Sequence, residues 1–131
     1  MAGTFKFELV TPERMALSED VAQVVVPGVE GEFTVLPGHA PVISALRPGT
    51  IEVTLADAGT QRIFVKGGFA EIDGDRLTVL AERALAVADM DAALIAAELE
   101  AAEAELAAAG DDAARLAAAT AVERLKALAA R

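Results

Sequence analysis

Cysteine, tryptophan and tyrosine are absent from this chain of 131 residues, histidine occurs once, and five phenylalanines are its whole aromatic content. Without cysteine there is no disulfide framework, no thiolate metal site and no thiol nucleophile. An aromatic fraction of 4% leaves few stacking platforms for single-stranded nucleic acid and leaves the core to Val, Leu and Ile. Positive charge is scarce too: 11 Lys and Arg stand against 21 Asp and Glu, for a formal net charge of -10. That sign repels nucleic acid and anionic lipid head groups at long range, so neither is expected as a direct partner. The excess is spread evenly, with 12 acids and 7 bases in residues 1–83 and 9 acids and 4 bases in residues 84–131. No run reaches the ~18 uncharged apolar residues of a membrane span. The alanine-rich C-terminal region comes nearest, and Asp89, Asp91, Glu98, Glu100, Glu103 and Glu105 interrupt it. The N-terminus, Met1-Ala2-Gly3-Thr4-Phe5-Lys6, lacks both a signal-peptide pattern and an Arg-rich transit segment. The expectation is a soluble protein with no lipid insertion, from a bacterium rather than an organelle.

What is present falls into two halves. Up to about residue 85 the chain reads as short strands broken by turn residues. Phe5, Phe7 and Leu9 alternate with Lys6 and Glu8, the period of a half-buried strand. Further runs cover 21–26, 33–36, 41–46, 50–55, 63–65 and 77–80, separated by Pro27-Gly28, Pro37-Gly38, Pro48-Gly49, Ala58-Gly59 and Gly67-Gly68. Proline presets φ and glycine accepts positive φ, so these pairs predict turns. Asp73-Gly74 between Ile72 and Leu77 predicts a hairpin. Strands at such even spacing argue for an antiparallel sandwich or barrel.

After residue 88 glycine almost vanishes and alanine takes nearly half the positions. Ile95, Leu99, Ala102 and Leu106 recur at steps of four, three and four, one face of a helix. Asp89 is the expected N-cap, with Asp91 in the first turn, and Gly110 the expected C-terminal cap. Asp111 or Asp112 then caps a second helix whose face is Ala118, Val122, Leu125 and Ala129. So short a connection makes the two helices antiparallel neighbours. Six acids and no base lie in the first helical segment, whereas the second carries Arg115, Arg124, Lys126 and Arg131. An alanine seam buries little area, so this hairpin must dock on the β unit or on a partner, reversibly.

No residue set predicts catalysis. His39, alone in a Pro/Gly-rich turn, reads as a structural hydrogen-bonding group, since a triad needs a nucleophile and an orienting acid beside it. Glu30 and Glu32 flank Gly31 and read as a solvated loop or an exposed protein contact. Asp73-Gly74-Asp75 lacks the further ligands of a calcium loop, and Gly67-Gly68 lacks the helix and lysine of a phosphate cradle. No catalytic residue, metal or cofactor is expected, and function is expected in binding surfaces or in the hairpin. A small-molecule hydrolase or carrier on a sandwich fold is the rival from another class, and the sequence shows no convergent polar pocket for it.

Three stretches carry a family resemblance. The run 30–41, Glu-Gly-Glu-Phe-Thr-Val-Leu-Pro-Gly-His-Ala-Pro, continues to Leu46-Arg47-Pro48-Gly49. The run 65–72, Val-Lys-Gly-Gly-Phe-Ala-Glu-Ile, is followed by Leu77-Thr78-Val79-Leu80-Ala81. With the order of a β domain and then a helical hairpin, these resemble the epsilon subunit of the F-type, rotary, proton-translocating ATP synthase. The resemblance implies an N-terminal sandwich of about ten strands (residues 1–85) and a C-terminal helix-turn-helix hairpin (residues 86–131). It implies a non-catalytic central-stalk subunit at the cytoplasmic face of the bacterial inner membrane, bound to the gamma subunit and the c-ring. Rotation of the ring would pass through it and gamma to ATP synthesis. By position Glu30, Gly31 and Glu32 fall on the family's ring-facing loop, with His39 beside it. The alternative role the family implies is conditional inhibition of ATP hydrolysis, with the hairpin meeting the alpha/beta head through Arg115, Arg124 and Lys126. Some members bind ATP through an apolar–Asp–x–x–Arg–Ala motif. Here Asp91 matches its acid, but Leu94 stands where the arginine should be and offers a phosphate nothing.

Overall fold

The computed structural model describes residues 3–130; Met1, Ala2 and Arg131 lie outside it. It divides between Val87 and Ala88 into two units. In the first, the described residues form seven strands: β1 (Phe5–Val10), β2 (Met15–Gly28), β3 (Gly31–Val35), β4 (Val42–Ala45), β5 (Gly49–Leu55), β6 (Thr60–Asp73) and β7 (Arg76–Ala86). Three of them are long because each serves two layers. β2 pairs β1 with its early half and β3 and β5 with its later half. β6 pairs β5 up to Val65 and β4 from Phe69. β7 accompanies β6 throughout and pairs β1, in parallel, over its first five residues. One layer is therefore β3, later β2, β5, early β6 and late β7, and the other is early β2, β1, early β7, late β6 and β4. Counted as segments these are five and five, the β-sandwich of about ten strands that the resemblance implied.

The inward residues show how the long strands turn their corners. In β6 Ile63 and Val65 are buried and then Ala70 and Ile72, a change of parity across Gly67-Gly68; β2 makes the same change between Val21 and Val24. A strand passing from one layer to the other must reset its pleat to keep apolar side chains inside. In β2 the register shift between Val21 and Gln23 does this. In β6 Gly67 and Gly68 do it at φ 63° and 119°, values that L side chains rarely adopt. A Cβ on Gly68 would collide with the Leu80 carbonyl. Gly67-Gly68 is thus no turn, contrary to the expectation from its composition, but a corner inside one continuous strand. The inner faces meet in a core of Phe5, Phe7, Leu9, Val21, Val24, Val26, Ile51, Val53, Leu77, Val79 and their neighbours.

In the second unit, after a short 3-10 turn at Val87–Asp89, come α1 (Ala92–Ala108) and α2 (Asp112–Ala129). Asp91, not Asp89, is the N-cap of α1: its carboxylate accepts the Leu94 N–H at 2.8 Å. Asp89 is taken up in the preceding turn. Asp111 caps α2 through the Ala114 N–H at 2.7 Å. The α1 C-cap is Ala109 in extended conformation, so Gly110 does not perform the expected role. α2 buries Ala118, Ala121, Val122, Leu125 and Leu128; Ala118, Val122 and Leu125 are the predicted face, and only its last position differs, with Ala129 exposed and Leu128 in its place. Leucine wins the inward position because it buries more apolar area than alanine. Among the described residues no helix is long and apolar enough to cross a membrane.

Candidate functional site

Two surfaces of the β unit stand out. The first is the connection from β2 to β3. Gly28 pairs Gly31, leaving Val29 and Glu30 as a two-residue loop. Neither has positive φ; Gly31 takes that burden at 132°. Any side chain at Gly31 would be strained, although space around it is open. At Gly28 a Cβ would press on the Gly31 carbonyl, the Phe33 ring and Ser44 Oγ, so the loop is braced from beneath. Its tip is exposed, and Glu30 and Glu32 both face solvent. The Val29 N–H donates to the Ala45 carbonyl at 2.9 Å, tying the loop to β4.

His39 lies at the other end of β3. Leu36-Pro37-Gly38-His39 is a turn closed by the His39 N–H on the Leu36 carbonyl at 3.1 Å. Proline at its second position and Gly38 at φ 80° make it type II. The His39 Nδ1–H donates to the Ala40 carbonyl at 2.7 Å, since a carbonyl can only accept. Five strand residues at ~3.3 Å each put roughly 16 Å between this turn and the Glu30 tip. The structure therefore brings Glu30, Gly31 and Glu32 together on one tip and sets His39 apart from them.

The second surface was not singled out in the sequence. Residues paired across neighbouring strands point to the same face of a sheet. Ala45 pairs Phe69, Phe69 pairs Leu80, Leu80 pairs Val10, and Val10 pairs Met15. The row crosses five strands, about 19 Å at ~4.8 Å per strand. Met15, Phe69 and Leu80 are each 53% exposed, and Ile43, one row along, is 68% exposed. This is a continuous apolar stripe on the outer face of the layer that contains β1. The face becomes polar away from it. The next row is Ile43, Glu71, Thr78, Glu8 and Ser18, and the one after holds Asp73, Arg76, Lys6 and Asp20. There Arg76 meets Glu8 at 3.3 Å and Lys6 meets Asp20 at 3.9 Å. A signal for the stripe existed: Leu80 and Phe69 fall out of step with Leu77, Val79, Ala81 and Ala70, Ile72, the buried positions of the same strands.

In the hairpin, Arg115 is held by Asp112 at 2.9 Å. Arg124 and Lys126 are exposed. At about 100° per residue, Lys126 lies roughly 20° from Arg115 around the helix and Arg124 roughly 180° away, so the three bases do not share one face. Asp91 is engaged as the α1 cap, with Leu94 half-buried beyond it. Among the described residues no group of three or more His, Asp or Glu is placed to hold a metal ion.

Comparison with known proteins agrees with the β-sandwich fold. The family described as "ATP synthase, Delta/Epsilon chain, beta-sandwich domain" matches residues 4–87. The ATP synthase epsilon chain of Mesorhizobium japonicum is 50% identical over 115 residues, 88% of this chain and 85% of that protein. That of Parvibaculum lavamentivorans is 47% identical over 128 residues, covering 98% of this chain and 97% of its own. Among solved structures, a chain of the Euglena gracilis mitochondrial ATP synthase (OSCP/F1/c-ring in rotational state 1) superposes with a TM-score of 0.75 at 26% identity, covering 99% of this chain and 82% of its own. A chain of the Tetrahymena thermophila central stalk/c-ring shares the fold, with a TM-score of 0.63 at 13% identity over 95% of both chains.

Proposed function

The chain belongs to the delta/epsilon chain family of ATP synthases, and on that premise we propose how it works in the rotor. It is a non-catalytic subunit of the central stalk. It joins the turning c-ring to the gamma subunit, so that rotation driven by proton flow reaches the alpha/beta head and ATP is made there. It works as a peripheral protein at the cytoplasmic face of the bacterial membrane.

The observation that carries this reading is the stripe of Val10, Met15, Phe69 and Leu80. A sheet face that holds large apolar side chains in solvent, bordered on one side by ion pairs, marks a protein-docking surface. We assign it to gamma, because a load-bearing joint needs an apolar, water-excluding centre within an interface beyond ~1,000 Å². The Glu30-Gly31-Glu32 tip is assigned to the c-ring. Two exposed carboxylates on a braced loop suit basic or amide groups on the ring's polar loops, where charge sets register more than affinity. His39, at the other end of β3, lies apart from that tip and is left out of the assignment. The hairpin contact with the head through Arg115, Arg124 and Lys126 has no comparable support, since the bases diverge around α2.

Affinity purification of the tagged chain from detergent-solubilised membranes tests the assignment. The expected eluate contains gamma and the c subunit in the company of the alpha/beta head. Recovery as a free monomer, or turnover of a substrate by the isolated chain, refutes it.

A further inference from the structure

Met15 ends the stripe on the β2 side. Its position depends on the irregularity in the β1–β2 ladder, where the register shifts between Leu9 and Val10 and brings Met15 opposite Val10. The other described methionine, Met90, is buried at 4% exposure, against 53% for Met15. The stripe thus contains a thioether that solvent-borne oxidants reach before the chain is assembled, on the surface that must become apolar and dry afterwards. Val10, paired with it, and Leu80 and Phe69 further along the stripe have no side-chain hydrogen-bond donor.

We propose that Met15 is a redox-sensitive gate on assembly: oxidation of its sulfur in the unassembled chain weakens docking of the gamma subunit on the stripe. This rests on the reading of the stripe as the gamma-docking surface. The reagent class is a two-electron peroxide oxidant. One oxygen passes from hydrogen peroxide to the Met15 sulfur, the O–O bond breaks, an S=O bond forms, and water leaves; sulfur loses two electrons and the peroxide gains them. The product is polar and methionine sulfoxide reductases reverse it. A sulfoxide oxygen is a strong acceptor, and sealing it against aliphatic neighbours leaves it without a partner, which lowers affinity roughly tenfold or more.

The test uses the full chain and purified gamma subunit. Dilute hydrogen peroxide is applied, peptide mass spectrometry confirms one added oxygen at Met15 and none at Met90, and the Kd for gamma is measured by titration calorimetry. The expected result is at least a tenfold rise in Kd, reversed by methionine sulfoxide reductases and absent from peroxide-treated Met15→Leu. That variant also controls for oxidation of Met1. If Met15-oxidised wild type binds within twofold of the reduced protein, the gate does not exist. A Phe69→Thr variant separates the two levels of the argument. Weakened binding by that variant with no effect of the sulfoxide overturns the gate alone; unaltered binding overturns the docking surface on which it rests.

Discussion

The apolar stripe makes a quantitative prediction that is independent of the fold's own stability. Phe69 exposes 53% of its surface, so of the roughly 200 Å² that a phenylalanine can bury, about 100 Å² remains for a partner to cover. At about 25 cal/mol per Å², complete coverage contributes ~2.5 kcal/mol. Leu80, equally exposed, adds about half the value of a fully buried leucine, roughly 1 kcal/mol. Threonine keeps a β-branched side chain suited to strands but removes most of that apolar area. The double variant Phe69→Thr/Leu80→Thr therefore loses about 3 kcal/mol of docking, or roughly 100-fold in Kd at ~1.4 kcal/mol per factor of ten. Both side chains lie outside the core, so unfolding free energy is expected to move by only about 0.5 kcal/mol per site. Calorimetric titration against purified gamma subunit, paired with urea unfolding of the free chain, reads both quantities. A Kd within threefold of wild type, with the variant folded, refutes the assignment of the stripe. A collapse of stability refutes the claim that the stripe is not part of the core.

Other outcomes follow from the same geometry. Gly68→Ala drives a methyl group into the Leu80 carbonyl at φ 119° and is expected to cost about 3 kcal/mol or more in urea unfolding. Gly67→Ala meets only the flexible Glu82 side chain and costs about 1–2 kcal/mol for its left-handed backbone. Glu30→Gln/Glu32→Gln is expected to leave gamma affinity unaltered while flattening the salt dependence of retention on c-ring-bearing membranes; an unaltered salt profile removes the tip from the ring contact. Truncation after Ala88 is expected to leave ATP hydrolysis by the reconstituted complex unchanged, because Arg115 is occupied by Asp112 and Arg124 points away from Lys126. A rise in hydrolysis would instead establish the hairpin as an inhibitor.

Local chemistry was legible in the sequence, and non-local pairing was not. Leu36-Pro37-Gly38-His39 is a turn because proline and glycine stand at the positions where a type II turn requires them. Asp73-Gly74 marks the β6–β7 hairpin, although its loop residues are Gly74 and Asp75. Gly67-Gly68 was misread because positive φ serves a corner as well as a turn, and only the partners of β6, first β5 and then β4, distinguish the two. The expected helix cap, Asp89, gives way to Asp91 two residues on, because local sequence does not fix where the helix starts. That start is decided by the 3-10 turn that takes up Asp89. Glu30 and Glu32 were visible as an acidic tip from their spacing around Gly31. The stripe was hidden for a different reason: its members come from positions 10, 15, 45, 69 and 80, and nothing local says that these residues share a row.

The division of β2, β6 and β7 between the two layers has a mechanical consequence. If separate strands made up each layer, the layers would be held together by side-chain contacts alone, and a lateral load would slide one over the other. Here three covalent chains pass from layer to layer, so sliding would require bending backbone at the Val21–Gln23 and Gly67-Gly68 corners. Shear is thus resisted by bonded geometry as well as by packing, and a force entering at the acidic tip can leave through the opposite layer with little angular play.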